Sequence, residues 1–283
     1  MTDQLQLAKH LPNNIAASVQ LAIQEDVATG DVTASLIPDD TQAQAGLICR
    51  DQAVICGLAW VQEVFQQIDS TVQIDYCVAE GDYVEANTHL CTFSGKAKSI
   101  LTAERVALNF LQTLSATATQ TQHYVQAIAA SNAKILDTRK TLPNLRLAQK
   151  YAVLCGGGKN HRIGLYDMIL IKENHIMAAG SISAAINTAR EYYPNLKVEV
   201  ETETLAEYYE AVAAGSDIIM LDNFSLADMY TAVVYQHNDI LLEASGGVNL
   251  QSIAKIAATG VDYISVGNIT KNIQAIDLSL RFL

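Results

Sequence analysis

From Lys134 onward the chain alternates between short apolar runs and helical patterns, with no tight hairpin turn anywhere between them. The runs are Ile135-Leu136, Met168-Ile169-Leu170-Ile171, Val198-Glu199-Val200, Ile218-Ile219-Met220-Leu221, Ile240-Leu241-Leu242 and Tyr263-Ile264-Ser265-Val266. Strands joined only through helices must run parallel, with right-handed crossovers. Polar groups gather at the carboxyl end of each: Asp137, Arg139 and Lys140; Lys172 and Glu173; Glu199 and Glu201; Asp222 and Asn223; Glu243 and Ser245; Ser265 and Gly267. A parallel barrel opens every strand end on one face, whereas a doubly wound sheet uses only the ends near a switch point. Six decorated ends therefore predict an α/β fold built on an incomplete (β/α) barrel, since fewer than eight units are visible.

The region before Lys134 follows another rule. Ile15, Val19, Ala22 and Ile23 recur at helical spacing after Pro12-Asn13-Asn14, which predicts a first helix. From Ala43 to about Lys98 short β-rich runs are broken by Gly57, Gly81 and Gly95, with a helix expected near Leu58 to Ile68, the pattern of a small α+β domain. A stretch rich in Ala, Leu and Gln from Ser99 to Ala130 reads as a long helix that carries the chain onward. The expected division is an N-terminal domain over 1–112 and a barrel over 113–269, with 270–283 packing back on the first. Ala79-Glu80-Gly81-Asp82-Tyr83-Val84 looks like a turn and strand of a biotinyl or lipoyl carrier module. No lysine stands at a hairpin tip there, so the likeness is read as architecture.

Charge narrows the ligand. The chain has 283 residues, half of them apolar, and a formal net charge of −12, a balance that fits a compact globular protein and disfavours nucleic acid or an anionic membrane as partner. No apolar h-region follows Met1-Thr2-Asp3-Gln4 and no run approaches the roughly 20 residues that cross a bilayer, so a cytoplasmic protein is expected. Five cysteines without a C-x-x-C pair read as reduced thiols. Against this acidic background, eight of the eighteen Lys and Arg residues fall between Lys134 and Lys172, the footprint of a site for a small anion.

Arg139, Arg162 and Lys172 suit a ligand with more than one carboxylate or phosphate, the guanidinium as a bidentate fork and the ammonium as a movable point charge. Gly156-Gly157-Gly158-Lys159 lacks the spacing of a phosphate loop and is read instead as a segment that delivers His161 and Arg162 to the ligand. His175 is read as structural or as support for a ligand-binding neighbour, and Arg146 and Lys150 as helix surface. Glu201 and Asp222, with Glu199 beside them, can hold a divalent metal, ribose hydroxyls or a developing cation. Ser245-Gly246-Gly247 and Ser265-Val266-Gly267 close successive units, the place where barrels recurrently bind phosphate. A rival reading makes Lys172 the Schiff-base lysine of a barrel aldolase.

These motifs together resemble the quinolinate phosphoribosyltransferases, type II phosphoribosyltransferases. The likeness rests on Thr138-Arg139-Lys140-Thr141, Gly156-Gly157-Gly158 running into His161-Arg162, and Ile171-Lys172-Glu173-Asn174-His175. It continues through Glu199-Val200-Glu201, Leu221-Asp222-Asn223, Glu243-Ala244-Ser245-Gly246-Gly247 and Ser265-Val266-Gly267, with Glu104-Arg105 on the linking helix. The resemblance implies transfer of a phosphoribosyl group from phosphoribosyl pyrophosphate to quinolinate with decarboxylation, using Mg²⁺. It implies that Arg139, His161, Arg162 and Lys172 hold the two carboxylates, that Lys140 faces the pyrophosphate, and that Glu201 and Asp222 serve ribose and metal. Thr138 joins the substrate contacts, and Ser245, Gly246, Gly247 and Gly267 bind the 5′-phosphate. Lys140, Lys172, Glu201 and Asp222 are the catalytic set so implied, and Arg105 is expected to reach the partner's barrel in a homodimer. A paralogue acting on another aromatic acid shares most of these motifs. Two positions depart from the family pattern: Ala116 stands where glycine is frequent after the serine, and Lys271 where histidine is frequent.

Overall fold

The structure, a computed structural model, describes residues 4–235 and 239–283. Met1, Thr2 and Asp3, part of the stretch read for a leader, lie outside the described residues. The first elements in chain order are α1 (Gln4–Ala8), α2 (Ile15–Asp26), β1 (Gln42–Cys49), β2 (Ala53–Val54), α3 (Leu58–Ile68) and β3 (Gln73–Tyr76). Then come β4 (Tyr83–Val84), β5 (Thr88–Lys96), α4 (Ala97–Ala127), β6 (Lys134–Leu136), α5 (Arg146–Cys155) and β7 (Ile169–Ile171). They are followed by α6 (Glu173–Ala179), α7 (Ile182–Tyr192), β8 (Val198–Thr202), α8 (Leu205–Ala213), β9 (Ile218–Asp222) and α9 (Leu226–Tyr235). β10 (Leu241–Ser245), α10 (Ile253–Ala257), β11 (Tyr263–Ser265), α11 (Asn268–Lys271) and β12 (Leu278–Phe282) complete the chain.

The chain forms two compact units. One takes the described residues up to Gln122 with Thr141–Gly157 and Ile269–Leu283; the other takes His123–Lys140 and Gly158–Asn268. The first unit holds a four-stranded antiparallel sheet in the order β12-β1-β5-β3. Its edge strand β12 comes from the end of the chain and pairs Leu280 with Leu47 of β1. Leu58, Trp60, Val61, Val64 and Phe65 give α3 an apolar stripe at helical spacing, all buried. Phe65 stacks on Phe93 of β5 with ring centroids 4.6 Å apart, and truncating such a side chain to alanine costs about 3–5 kcal/mol.

The carrier-like segment has an architectural role here. The Glu80 carboxylate accepts the Gly57 N–H at 3.0 Å and the Ala59 N–H at 3.3 Å, which satisfies otherwise orphaned donors where α3 begins. β4 in turn pairs with β2.

Lys150 corrects the sequence reading: it is buried, 3% exposed, not helix surface. Its helix α5 counts with the first unit, where Ala148, Tyr151, Ala152 and Cys155 join the core. The neighbouring Gln149 is likewise fully buried and satisfied, accepting from the Leu142 N–H and donating to the Thr270 carbonyl. Sequence periodicity shows which face of a helix is most apolar; it cannot show that the opposite face is covered too. Thr141–Gly157, which the sequence division left in the barrel, thus packs elsewhere.

All six predicted strands after Lys134 form, and they make one parallel sheet in the order β6-β11-β10-β9-β8-β7. The sheet is barrel-like and open: among the described residues no ladder joins β6 to β7. Lys159 instead docks on the free edge of β6, its N–H donating to the Ile135 carbonyl and its own carbonyl accepting from Asp137 N–H.

Candidate active site

Side chains two positions apart on a strand face the same side, and this parity builds a two-tiered pocket at the carboxyl ends of the second unit's strands. Leu170 and Lys172, Met220 and Asp222, and Glu243 and Ser245 all line one cavity of about 450 Å³. Glu201, Ser265, Thr138, Arg139, Lys140, His161 and Arg162 complete its wall. Register explains the convergence: Glu201 lies opposite Met220, Met220 opposite Glu243, and Asp222 opposite Ser245.

Four cations meet there. The Nε of Arg139 is buried and has no hydrogen-bond partner among the described residues, a condition that favours an incoming anion, because a buried donor left unmade is costly. Arg162 donates through Nη1 to the Met168 carbonyl at 3.4 Å. Burial, and after it the positive charge of Arg139, holds its guanidinium below the usual arginine range. Lys172 pairs with Glu201, while its backbone N–H donates to Nδ1 of His175 at 3.0 Å. That bond makes His175 part of the start of α6, in line with its structural reading. Lys140 donates its backbone N–H to Thr138 Oγ1 at 3.1 Å.

Beneath the cations His161 faces a buried acidic pair. Its Nε2 lies 2.9 Å from Glu199 Oε2 and 3.4 Å from Glu243 Oε2. Among the described residues neither carboxylate has a Lys or Arg at ion-pair distance. Burial pushes Glu199 up to about 7 against the pull of Arg162, and pushes Glu243 up to about 8 with help from the negative charge of Glu199. The three ligand atoms fall within 4.8 Å of one another, a spacing that would suit a cation. The histidine tautomer argues otherwise: Nδ1 accepts the Arg162 N–H at 2.8 Å, so the ring proton sits on Nε2 and no lone pair is left there for a metal. Both ring nitrogens of His161 are thus turned to protein atoms, while the residue also lines the cavity where the resemblance places the ligand's carboxylates.

The glycine turns divide. Gly246 has φ +91°, and a side-chain carbon there would lie 2.1 Å from Asn223 Oδ1, so packing alone demands glycine. Gly247 has φ +58° with open space beside it. A side-chain carbon at Gly267 would press on Lys140 Cδ at 3.3 Å, which puts that glycine beside the cavity wall. Arg105 belongs to the first unit, exposed on α4, and is not among the cavity residues.

Sequence reading noted Glu243 and Asp137 at their strand ends but gave neither a role. Asp137 is fully buried; its carboxylate accepts Asn160 Nδ2 at 2.6 Å and the His161 N–H at 2.9 Å, which pins the segment carrying His161 and Arg162. For Glu243 a signal existed in the strand parity, since it stands two residues before Ser245 as Glu199 stands two before Glu201.

Comparison with known proteins gives concordant results. Residues 31–115 match the model of the quinolinate phosphoribosyl transferase N-terminal domain, and residues 117–281 that of its C-terminal domain. Quinolinate phosphoribosyltransferase (decarboxylating) 1b of Nicotiana tabacum is 40% identical over 96% of this chain and 83% of its own length. A probable nicotinate-nucleotide pyrophosphorylase (carboxylating) of Synechocystis is 42% identical over 94% of this chain and 91% of its own. The solved structure of the nicotinate-nucleotide pyrophosphorylase from Francisella tularensis superposes with a TM-score of 0.94 at 49% identity, covering 96% of this chain and 98% of that one.

Proposed function

The chain belongs to the quinolinate phosphoribosyltransferase family, and from that premise we propose how its cavity carries out the family's reaction. The enzyme is a pentosyltransferase of NAD biosynthesis: it joins quinolinate to the ribose of phosphoribosyl pyrophosphate and releases pyrophosphate and CO₂, leaving nicotinate mononucleotide. One observation carries the assignment of roles, the meeting of Arg139, Arg162 and Lys172 in a single cavity whose other wall holds Glu201 and Asp222.

A dicarboxylate offers two anions to a site with adjacent guanidinium groups, one of them buried with an unmade donor. Arg139, Arg162 and Lys172 bind the carboxylates and turn the ring nitrogen toward C1′ of the ribose, with His161 holding Arg162 and Thr138 lining the same wall. The nitrogen's electron pair forms the bond to C1′ while the C1′–oxygen bond to pyrophosphate breaks, its pair leaving with the pyrophosphate toward Lys140. Glu201 and Asp222 stabilise positive charge at the ribose during this step. The bond from C2 to its carboxylate then breaks, its pair held beside the cationic nitrogen; CO₂ departs and C2 takes a proton. The 5′-phosphate lies at Ser245, Gly246, Gly247 and Gly267, where Gly247 has open space.

Glu201 and Asp222 present hard oxygen donors on neighbouring strands, a set that fits Mg²⁺. When bound there, the ion supplies charge to the pyrophosphate. The aldolase alternative is not favoured, because both halves of the chain match the quinolinate phosphoribosyltransferase family and Lys172 is already engaged by Glu201. A homodimer, with Arg105 of each chain completing the partner's mouth, is part of the proposal on the strength of the family resemblance, and so is a cytoplasmic location. No described helix is long and apolar enough to cross a membrane.

The test incubates the protein with phosphoribosyl pyrophosphate, Mg²⁺ and either quinolinate or nicotinate. Nicotinate mononucleotide and CO₂ from quinolinate are expected; product from nicotinate alone would sink the assignment.

A further inference from the structure

The buried pair beneath the cavity has no part in the reaction as written, yet it touches His161, which holds the main chain of Arg162. His161 is 8% exposed at its side chain, Glu199 0% and Glu243 1%. A neutral imidazole has one N–H and one lone pair, and the environment of one nitrogen fixes the state of the other. Two carboxyl groups facing Nε2 favour the proton there. Nδ1 is thereby left with its lone pair, which accepts the Arg162 N–H at 2.8 Å. Were the ring to take the other tautomer, an N–H at Nδ1 would face the Arg162 N–H at that distance, and the turn would have to open. The backbone at His161 is anchored independently by Asp137, so the loss falls on Arg162 and its guanidinium.

We propose that Glu199, backed by Glu243, is a positioning residue for the acid-binding clamp. It selects the Nε2–H tautomer of His161, and that tautomer fixes the main chain of Arg162 so that its guanidinium enters the cavity already oriented. This deepens the proposed function and depends on it only for the identity of the acid; the tautomer is a property of the free protein. Displacement of a clamp residue by a fraction of an ångström is enough to matter, because misplacement of about 1 Å can cost on the order of 100-fold.

Two measurements decide. The first is ¹⁵N NMR of the unliganded full chain labelled at histidine, with the His161 signals assigned by their loss in His161→Gln. The expected pattern is a protonated Nε2 and an unprotonated Nδ1; the opposite tautomer, or a doubly protonated ring, overturns the proposal. The second compares Glu199→Met, which removes the carboxylate lying 2.9 Å from Nε2, with Glu199→Gln, whose amide oxygen can still face the Nε2–H. The methionine variant should raise KM for quinolinate about tenfold or more, with KM for phosphoribosyl pyrophosphate changed less than about twofold, while glutamine recovers most of the loss. A folded Glu199→Met with the wild-type KM for quinolinate, or a glutamine variant as impaired as methionine, overturns the assignment. If Glu199→Met does not fold, the tautomer measurement on the native chain stands alone. Wild-type protein inactive on quinolinate would instead count against the proposed function, since the NMR result requires no substrate.

Discussion

The rim and the floor of the cavity use similar ingredients and differ in their access to water. At the rim Lys172 is 45% exposed and its partner Glu201 17%; on the floor His161, Glu199 and Glu243 are sealed. An exposed ion pair contributes little to stability, typically below about 1 kcal/mol, so Lys172 can leave Glu201 for a substrate carboxylate at small cost. Buried acids cannot re-pair in this way, and burial drives them toward the uncharged form. The rim is built to exchange partners, and the floor to keep them.

The sharpest way to break this comparison is to remove a rim cation that has no ion-pair partner among the described residues. Arg139→Ala should lower kcat/KM for quinolinate by about 100- to 1000-fold, in line with the loss of roughly 3–4 kcal/mol for a desolvated charge contact. Steady-state kinetics with a drop under tenfold would remove Arg139 from the clamp. The floor predicts a pH effect on stability. Glu243 moves from an ordinary value of 4.5 to about 8 in the folded chain, so between those values the native state binds more protons than the unfolded one. Stability therefore falls as pH rises through that window, on the order of a few kcal/mol in total. Glu243→Gln cannot titrate; its melting temperature should decline less than wild type from pH 5 to pH 8.5, and parallel curves would refute the buried acid. Third, Arg105→Ala and Arg139→Ala proteins, each nearly inactive, should regain about tenfold over either parent when mixed and re-associated, as restored sites in mixed dimers would give. No recovery would count against a rim completed by the partner chain. The smallest effect is at the exposed pair: Lys172→Met should leave unfolding free energy within about 1 kcal/mol of wild type while quinolinate turnover collapses. A large loss of stability would show that the rim pair is structural.

Much of the second unit was legible because parallel strands repeat. Apolar runs marked all six strands, and the polar residues after them marked the open face. Lys172, Glu201, Asp222 and Ser245 line the cavity because each is an inward position at a strand's end. The floor was less legible. Glu243 and Glu199 stand between apolar residues in the sequence, a pattern that offers only another alternating strand, and their chemistry comes from a loop residue, His161, folded down over them. Gly246 was read as a phosphate contact, yet the side chain of Asn223 already accounts for it; two causes for one glycine leave the same letter in the sequence. Lys150 shows a third limit. A lysine on a helix carries no mark in the sequence of being covered.

The break in the sheet between β6 and β7 bears on how such a protein can change. His161 and Arg162 lie on the segment that docks at β6 through Lys159 and then runs on to β7, across the seam where no strand ladder constrains its length. Residues 160–168 belong to no strand ladder and are held by side chains, Asp137 on Asn160 and His161 and Asp167 on Ile163 and Gly164, whereas Glu201 and Asp222 stand on strands whose register is fixed by their neighbours. A change in this segment can therefore move His161 and Arg162 while the strand ends that carry Glu201 and Asp222 stay where they are.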